Sequence, residues 1–374
     1  MSEQKNLPIP LKYRPLKFSE LIGQDLMSQT IQKAIETDRV ANAYLLTGVR
    51  GVGKTTTARI IAKSLNCMNI DSNDEKEPCG ICENCIAITE SRSVDVYEMD
   101  AASRTGIADI RELIEGVQYS PVSSKYKVYI IDEVHMLSNQ AFNAFLKSLE
   151  EPPKHVVFIL ATTEKNKILP TILSRCQIYD FKKVDSKSIT RLLLKICKEK
   201  KIKHEDGSLL LISERSDGSI RDSLSIFDRL VSFTNSNLTL EEVTSNLNIL
   251  DFNTYFKLTD LINGKDIPGI LSLYNDVYNK GFDDLNFLNG LSKHLRELLV
   301  CKLNSYDKLS DHKNGLSKKY IEHSKNILDQ DLIFMIDLIN DTLINYQKVN
   351  DKRIHIELCL MKLASLDSIK KKNL

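Results

Sequence analysis

Two groups of residues in this sequence have the types and spacing for chemistry. The string GVRGVGKT at 48–55 fits G-x-x-x-x-G-K-[ST], the pattern of a loop that cradles phosphate. Gly48, Gly51 and Gly53 let backbone wrap closely around an anion. The N–H groups of such a loop, and of the helix it opens, supply partial positive charge. Lys54 can reach terminal phosphates, and Thr55 can ligate Mg²⁺. The second string, VYIIDEVHML at 128–137, sets four apolar residues before Asp132. That places Asp132 and Glu133 at the carboxyl end of a strand, where ligands bind in parallel sheets. Asp132 is expected to hold Mg²⁺, and Glu133 to orient an attacking water. His135 completes D-E-x-H and reads as a packing or hydrogen-bonding residue.

A third group is metal-like. Cys67, Cys79, Cys82 and Cys85 are spaced C-x₁₁-C-x₂-C-x₂-C, four of the chain's 8 cysteines. Four thiolates can close a tetrahedral Zn²⁺ site and leave no position for a reacting water. An iron–sulfur reading meets C-x₂-C-x₂-C but lacks the following x₃-C-P. Unliganded thiols are the bland reading. Cys176, Cys197, Cys301 and Cys359 are scattered and expected as buried packing residues.

These groups need a scaffold. The first 180 residues alternate β-rich apolar runs (43–47, 94–100, 127–134, 155–163 and 177–181) with helical patterns at 55–66, 108–118 and 139–150. Alternation of this kind predicts a parallel α/β sheet. The helix at 139–150 is stopped by Pro152 and Pro153. Thr162 and Thr163 end the fourth run, where a hydroxyl could sense a terminal phosphate. Arg175 is either a surface arginine or a finger offered to a neighbour's nucleotide. Arg221 opens a later helix and could reach back to the phosphates. After about 184 the strands are expected to stop. A small helical region follows, and then a second all-helical one. In the latter Leu332, Ile336, Ile339 and Leu343, and then Ile356, Leu360 and Leu363, form apolar stripes at helical spacing. They read as core-facing sides, with a subunit interface as the sharper alternative. The string SIKKKNL at 368–374 reads as a frayed tail.

Composition excludes little. The chain has 374 residues, 42% hydrophobic and 27% charged, with a formal net charge of +1. Any nucleic acid must therefore be held by a local patch. The N-terminus has no apolar signal region and no apolar run has membrane-span length. A cytoplasmic protein with no membrane partner is expected, and in that compartment clustered thiols more often bind metal than form disulfides.

Together the strings YRP…F…LIGQ (13–24), GVRGVGKTT, CGICENC, DAASRTGIADIREL, KVYIIDEVHMLS, FNAFLKSLEEPP, ATTEKNKILPTILSRC and GSIRDSLS are those of a known family. The chain resembles the gamma/tau subunits of bacterial DNA polymerase III, which are AAA+ clamp-loader ATPases. The resemblance implies an AAA+ RecA-like parallel-sheet domain at 1–184, with a zinc module at about 67–85. A helical lid at 185–247 and an all-helical collar at 248–374 would follow. It implies that Tyr13, Arg14, Pro15 and Ile22 pack the adenine. Gly48, Val49, Arg50, Gly51, Val52, Gly53, Lys54, Thr55 and Thr56 would bind the phosphates. Asp132 and Glu133 match the Walker B carboxylates. Thr163, with Thr162 beside it, matches sensor one. Arg175 matches the trans arginine finger, and Arg221 matches sensor two. Arg104 and Thr105 lie where the family approaches DNA, with Gly106 at a position that is often basic. ATP, Mg²⁺ and Zn²⁺ are the implied cofactors. The implied partners are the delta and delta prime subunits, further gamma copies, the sliding clamp and primer–template DNA, within the polymerase III holoenzyme. A chain stopping after the third region resembles the short gamma form, so no polymerase or helicase tether is expected. The rival readings are a DExH-type helicase, which would need a second RecA-like domain, and a non-hydrolysing scaffold on the same frame.

Overall fold

The computed structural model describes residues 7–70, 76–103, 107–234, 236–247, 250, 252–302 and 316–366. The expectations for Arg104, Thr105 and Gly106, and for the tail at 368–374, fall outside these residues. Two compact units divide the chain, Met1–Thr239 and Leu240–Leu374.

The first unit is built on five strands: β1 (Ala43–Thr47), β2 (Val96–Asp100), β3 (Lys127–Asp132), β4 (Val156–Thr162) and β5 (Gln177–Asp180). Their order is β2-β3-β4-β1-β5, and every pairing is parallel. All residues of β1 and β4 are buried, as near-continuous apolar runs in a doubly covered sheet must be. Side chains alternate between the two faces. Tyr44, Leu46, Val128, Ile130, Val157 and Ile159 pack with helices α2 (Asp25–Glu36) and α3 (Lys54–Asn66). Leu45, Tyr129, Ile131, Phe158 and Leu160 pack on the other face with α5 (Ile107–Val117) and α6 (Asn139–Glu150). Phe145 meets Phe158 edge-on at 5.0 Å, a favoured aromatic geometry. This is the AAA+ RecA-like sheet domain, with α1 (Ile9–Lys12) before the sheet, α4 (Glu83–Thr89) carrying the last cysteine of the stretch and α7 (Pro170–Leu173) before β5.

A helical lid closes the first unit with α8 (Ser186–Lys200), α9 (Asp206–Arg215) and α10 (Ile220–Phe233). The side chain of Asp185 accepts from Ser188 N–H and caps α8; Ser219 caps α10 through Asp222 N–H. Strands do not stop entirely after 184. Lys203–His204 and Asn237–Leu238 pair as a two-residue parallel ladder. Runs this short carry no periodicity to read.

The second unit is helical throughout its described residues. One core includes Leu291, Leu295, Leu332, Met335, Ile339, Ile356, Leu360 and Leu363. On Asp329–Asn345 the buried line runs Leu332, Met335, Ile339, Thr342, whereas Ile336 and Leu343 flank it partly exposed. The centre of the stripe is thus rotated from the one expected, because Met and Thr complete the packed face. Among the scattered cysteines, Cys197, Cys301 and Cys359 are buried as expected, but Cys176 is only partly so. It stands just before β5, an edge strand covered on one side only.

Candidate functional site

The first candidate centre lies where β1, β3 and β4 present their carboxyl ends. The phosphate loop leaves β1 at Thr47. Gly48 donates its N–H to Thr162 O on the neighbouring strand, and Gly53 caps α3 with φ 105°. Val52 is buried and anchors the loop, while Val49 and Arg50 are exposed and Thr56 is half-buried. Lys54 is only 6% exposed, and its Nζ donates to Gly48 O at 2.8 Å and Val49 O at 2.9 Å. Burial pushes its ammonium below the ordinary lysine value, opposed by nearby Glu133 and Asp132. Thr55 Oγ1 donates to Asp132 Oδ2 at 2.5 Å. Residues 77 positions apart therefore bring a hydroxyl and a carboxylate together, the hard oxygen pair that Mg²⁺ prefers.

Glu133 sits at φ 47°, in the left-handed region, and this turns its side chain out of the strand line. Thr163 Oγ1 donates to Glu133 Oε2 at 3.1 Å. His135 is nearly buried. Its Nδ1 lies 3.1 Å from Thr162 Oγ1 and 3.4 Å from Glu133 Oε2, and its Nε2 lies 3.3 Å from Glu164 Oε1. The imidazole thus lies between the Glu133 and Glu164 carboxylates and meets the same Glu133 oxygen, Oε2, that Thr163 bonds. Glu164 was invisible to sequence reading, because nothing in ATTE separates its role from a strand end.

The lid presses on the same loop. Arg221 N–H donates to Gly51 O at 3.2 Å. A Cβ at Gly51 would lie 2.0 Å from Ser219 Oγ and 3.3 Å from the Arg221 Cβ. Helices α3 and α10 therefore both aim their N-termini at the phosphate loop, and their positive ends favour an anion there. Arg14 lies in the same field. Its guanidinium is lowered first by burial and then by Arg59 and Arg221, with Glu98 and Asp132 opposing. Tyr13 OH donates to Glu199 Oε2 of α8 at 3.0 Å; burial and that carboxylate push the phenol up to about 12. Pro15 and Ile22 are half-buried in the same segment.

Arg175 is not part of this cluster. It is exposed, with Nη2 2.8 Å from Glu150 Oε1 and Nη1 2.6 Å from Thr171 O. It precedes β5, whose far end pairs with Thr47 beside the phosphate loop. Four strand residues span roughly 10 Å, so Arg175 belongs to the opposite end of the strands from the phosphate loop.

The four clustered thiols form the second centre. The Sγ atoms of Cys67, Cys79, Cys82 and Cys85 all lie within 4.8 Å of one another. Tetrahedral Zn–S bonds require about 3.8 Å between sulfurs, so the set fits with little adjustment. Backbone N–H groups of Cys79, Cys82 and Cys85 point at Cys67, Cys79 and Cys82 sulfurs at 3.4, 3.3 and 3.5 Å. Burial raises Cys67 and Cys85. At Cys79 burial also raises the thiol, but N–H groups of Ile81 and Cys82 with the thiols of Cys67 and Cys82 outweigh it and hold it at about 6. The knot is tied to the sheet by Asn66, which donates to Tyr126 O and accepts from Tyr126 N–H, both at 2.9 Å. Asn84 donates to Asn66 O at 2.9 Å.

Comparison with known proteins agrees with this architecture. A DNA polymerase III delta-subunit profile matches residues 23–185. The ATPase lid domain of the DNA polymerase III clamp loader subunit matches 188–236, and domain III of DNA polymerase III subunits gamma and tau matches 238–374. The DNA polymerase III subunit gamma of Buchnera aphidicola is 35% identical, covering 96% of this chain and 96% of that protein. The chain belongs to the DNA polymerase III gamma/tau family. Subunit tau of Bacillus subtilis is 37% identical, over 94% of this chain and 62% of that protein. Subunit gamma/tau of Mycoplasma genitalium is 43% identical, over 79% of this chain and 48% of that one. The chain spans about half to three fifths of the length of these longer relatives.

The contact between loop and lid makes a direct prediction. Gly51→Ala meets both a positive φ of 79° and the Ser219 hydroxyl. It should cost about 1–3 kcal/mol of stability and weaken nucleotide binding, read by thermal unfolding and by titration with ATP. An unchanged melting temperature and affinity would contradict the close approach.

Proposed function

We propose that this gamma/tau-family chain is an ATPase motor subunit of the polymerase III clamp loader. ATP binding and hydrolysis would load a sliding clamp onto primed DNA. The observation that carries the reading is the convergence of Lys54, Thr55, Asp132, Glu133 and Thr163 at one sheet edge beneath Arg221. A site that has abandoned hydrolysis has no reason to keep all of these groups oriented. The non-hydrolysing scaffold is disfavoured on that ground. The helicase reading is disfavoured because 238–374 matches gamma and tau domain III and its described residues are helical.

Thr55 and Asp132 would hold Mg²⁺, which when bound neutralises charge on the phosphates. The chain's own groups do the rest. The loop amides and Lys54 fix the phosphates, Glu133 orients water, and Thr163 with His135 holds the Glu133 carboxylate in line. Tyr13, Arg14, Pro15 and Ile22 would pack the adenine. Arg221 would sense the terminal phosphate from the lid at 185–247. Arg175, at the far end of the strands, would complete the site of the next subunit, so the assembly is a ring joined through a collar at 248–374. The proposed partners are delta, delta prime, further gamma copies, the clamp and primer–template DNA, in the cytoplasm. Among the described residues no helix is long and apolar enough to cross a membrane. Nucleotidyl transfer would belong to the holoenzyme and not to this chain.

The four thiols fit a structural Zn²⁺ that staples residues 67–85. One zinc per chain is expected by elemental analysis, and chelation should lower the melting temperature, because metal binding is folding free energy. Stoichiometric iron, or full stability with all four cysteines changed to serine, would count against it.

The finger assignment has its own test. In complexes reconstituted with candidate clamp-loader subunits, clamp and primed DNA, Arg175→Ala should bind ATP normally. Its turnover should fall by about 10³ to 10⁵. Normal stimulated turnover would remove Arg175 from the role.

A further inference from the structure

Glu77 is a charged residue that the proposed chemistry leaves unused, yet it is only 2% exposed. It lies two residues before Cys79. Its Oε2 accepts the N–H of Phe18 at 2.8 Å, and its Oε1 accepts the N–H of Ser19 at 2.8 Å. Gln32 Nε2 adds a third donor at 3.2 Å. Those two amides open the short turn Phe18–Glu20, whose own preceding residue, Lys17, supplies no side-chain cap. A carboxylate from nearly 60 residues away thus does the work of a local helix cap. A second buried charge holds the same segment. Lys63, on α3 and 3% exposed, donates to Leu16 O at 2.9 Å. Both anchors adjoin the cysteine knot: Lys63 precedes Cys67 by one helical turn, and Cys79 N–H points at Cys67 Sγ. The segment they hold, 14–19, lies between Tyr13 and Ile22.

We infer that Glu77 is a positioning residue for the nucleotide base. Through it, the four-cysteine module fixes the N-terminal segment that carries Tyr13, Arg14, Pro15 and Ile22. The inference rests on the proposed reading that this segment packs the adenine. The physical reason is twofold. A buried carboxylate is tolerated only when its hydrogen bonds are made, and without it the buried N–H of Phe18 and the partly buried N–H of Ser19 both lose their acceptor. The module's position is in turn set by the knot, since the described residues of the stretch 67–85 include no strand to order it. The coupling therefore runs from thiol ligation to Glu77 to the base-binding segment, and it bypasses the phosphate loop.

The test separates base from phosphate. In the full chain with its metal, ATP and inorganic tripolyphosphate are titrated against wild type, Glu77→Ala, Glu77→Gln and Ile22→Ala, with metal content measured in each. Loss of a charged, doubly bonded cap should raise the ATP dissociation constant about tenfold in Glu77→Ala. Glu77→Gln, which keeps one acceptor, should fall between. Tripolyphosphate binding should not change, and one metal per chain should remain. Removing the metal from the wild type should likewise weaken ATP and spare tripolyphosphate. If Ile22→Ala weakens ATP while both Glu77 variants stay within about twofold of wild type, Glu77 has no such role. If Ile22→Ala and Glu77→Ala both leave ATP unchanged, the adenine reading of the segment itself falls. Should Glu77→Ala fail to fold, Glu77→Gln and the metal-free chain decide between the same outcomes.

Discussion

The hydrogen bond from Thr55 Oγ1 to Asp132 Oδ2 ties the first turn of α3 to the last residue of β3. Neither residue is placed by local sequence. Thr55 is placed because the phosphate loop turns sharply out of β1, and Asp132 because β3 is held in register with β4 and β2. The sheet order β2-β3-β4-β1-β5 sets β4 between β3, which ends at Asp132, and β1, whose loop leads to Thr55. Thr162 at the end of β4 fills the gap, accepting the Gly48 N–H through its carbonyl while its hydroxyl meets His135. A sheet buried on both faces is rigid enough to keep such a constellation within hydrogen-bonding tolerance.

The lid depends on the same edge. Gly51 has no room for a side chain because Ser219 and Arg221 pack directly over it. Anything that moves the phosphate loop is therefore felt at the N-terminus of α10. Further out, Gln24 clasps the segment entering the lid, donating to Lys182 O at 2.8 Å. Ile9 N–H donates to Asp228 Oδ2 on α10 at 3.2 Å, and Tyr13 reaches α8. The N-terminal segment is thus bonded to the lid on one side and to the cysteine module on the other.

Much of this was legible in the sequence, for a physical reason. Strands β1, β3 and β4 are apolar through their middles because both faces are covered, and the glycine loop and the carboxylates sit at their ends. The cysteine spacing is legible because three of the four ligands are local. What was not legible depends on contacts across long separations. Glu77, Lys63 and Asn66 look like surface residues in a polar stretch or on a helix. Only the fold shows that they satisfy backbone groups of other segments. His135 could be read as a hydrogen-bonding residue, but its bridging of Glu133 and Glu164 could not. The two-residue strands of the lid and the rotated stripe on Asp329–Asn345 lie below the resolution of periodicity. The cysteine stretch itself changes meaning with the structure. Its four thiols converge, and the residues beside them carry the Glu77 carboxylate to the N-terminal segment.

On the proposed reading, the cluster at the carboxyl ends of the strands hydrolyses ATP and does not merely bind it. The most direct measurement is steady-state ATP turnover in the reconstituted assembly, with and without clamp and primed DNA, for wild type and Glu133→Gln. The wild type should show Mg²⁺-dependent turnover that clamp and DNA stimulate. The Glu133→Gln chain should bind ATP as tightly and turn it over at least about 10²-fold more slowly. Wild-type chain that binds ATP but shows no turnover beyond that of Glu133→Gln would contradict the proposed reading.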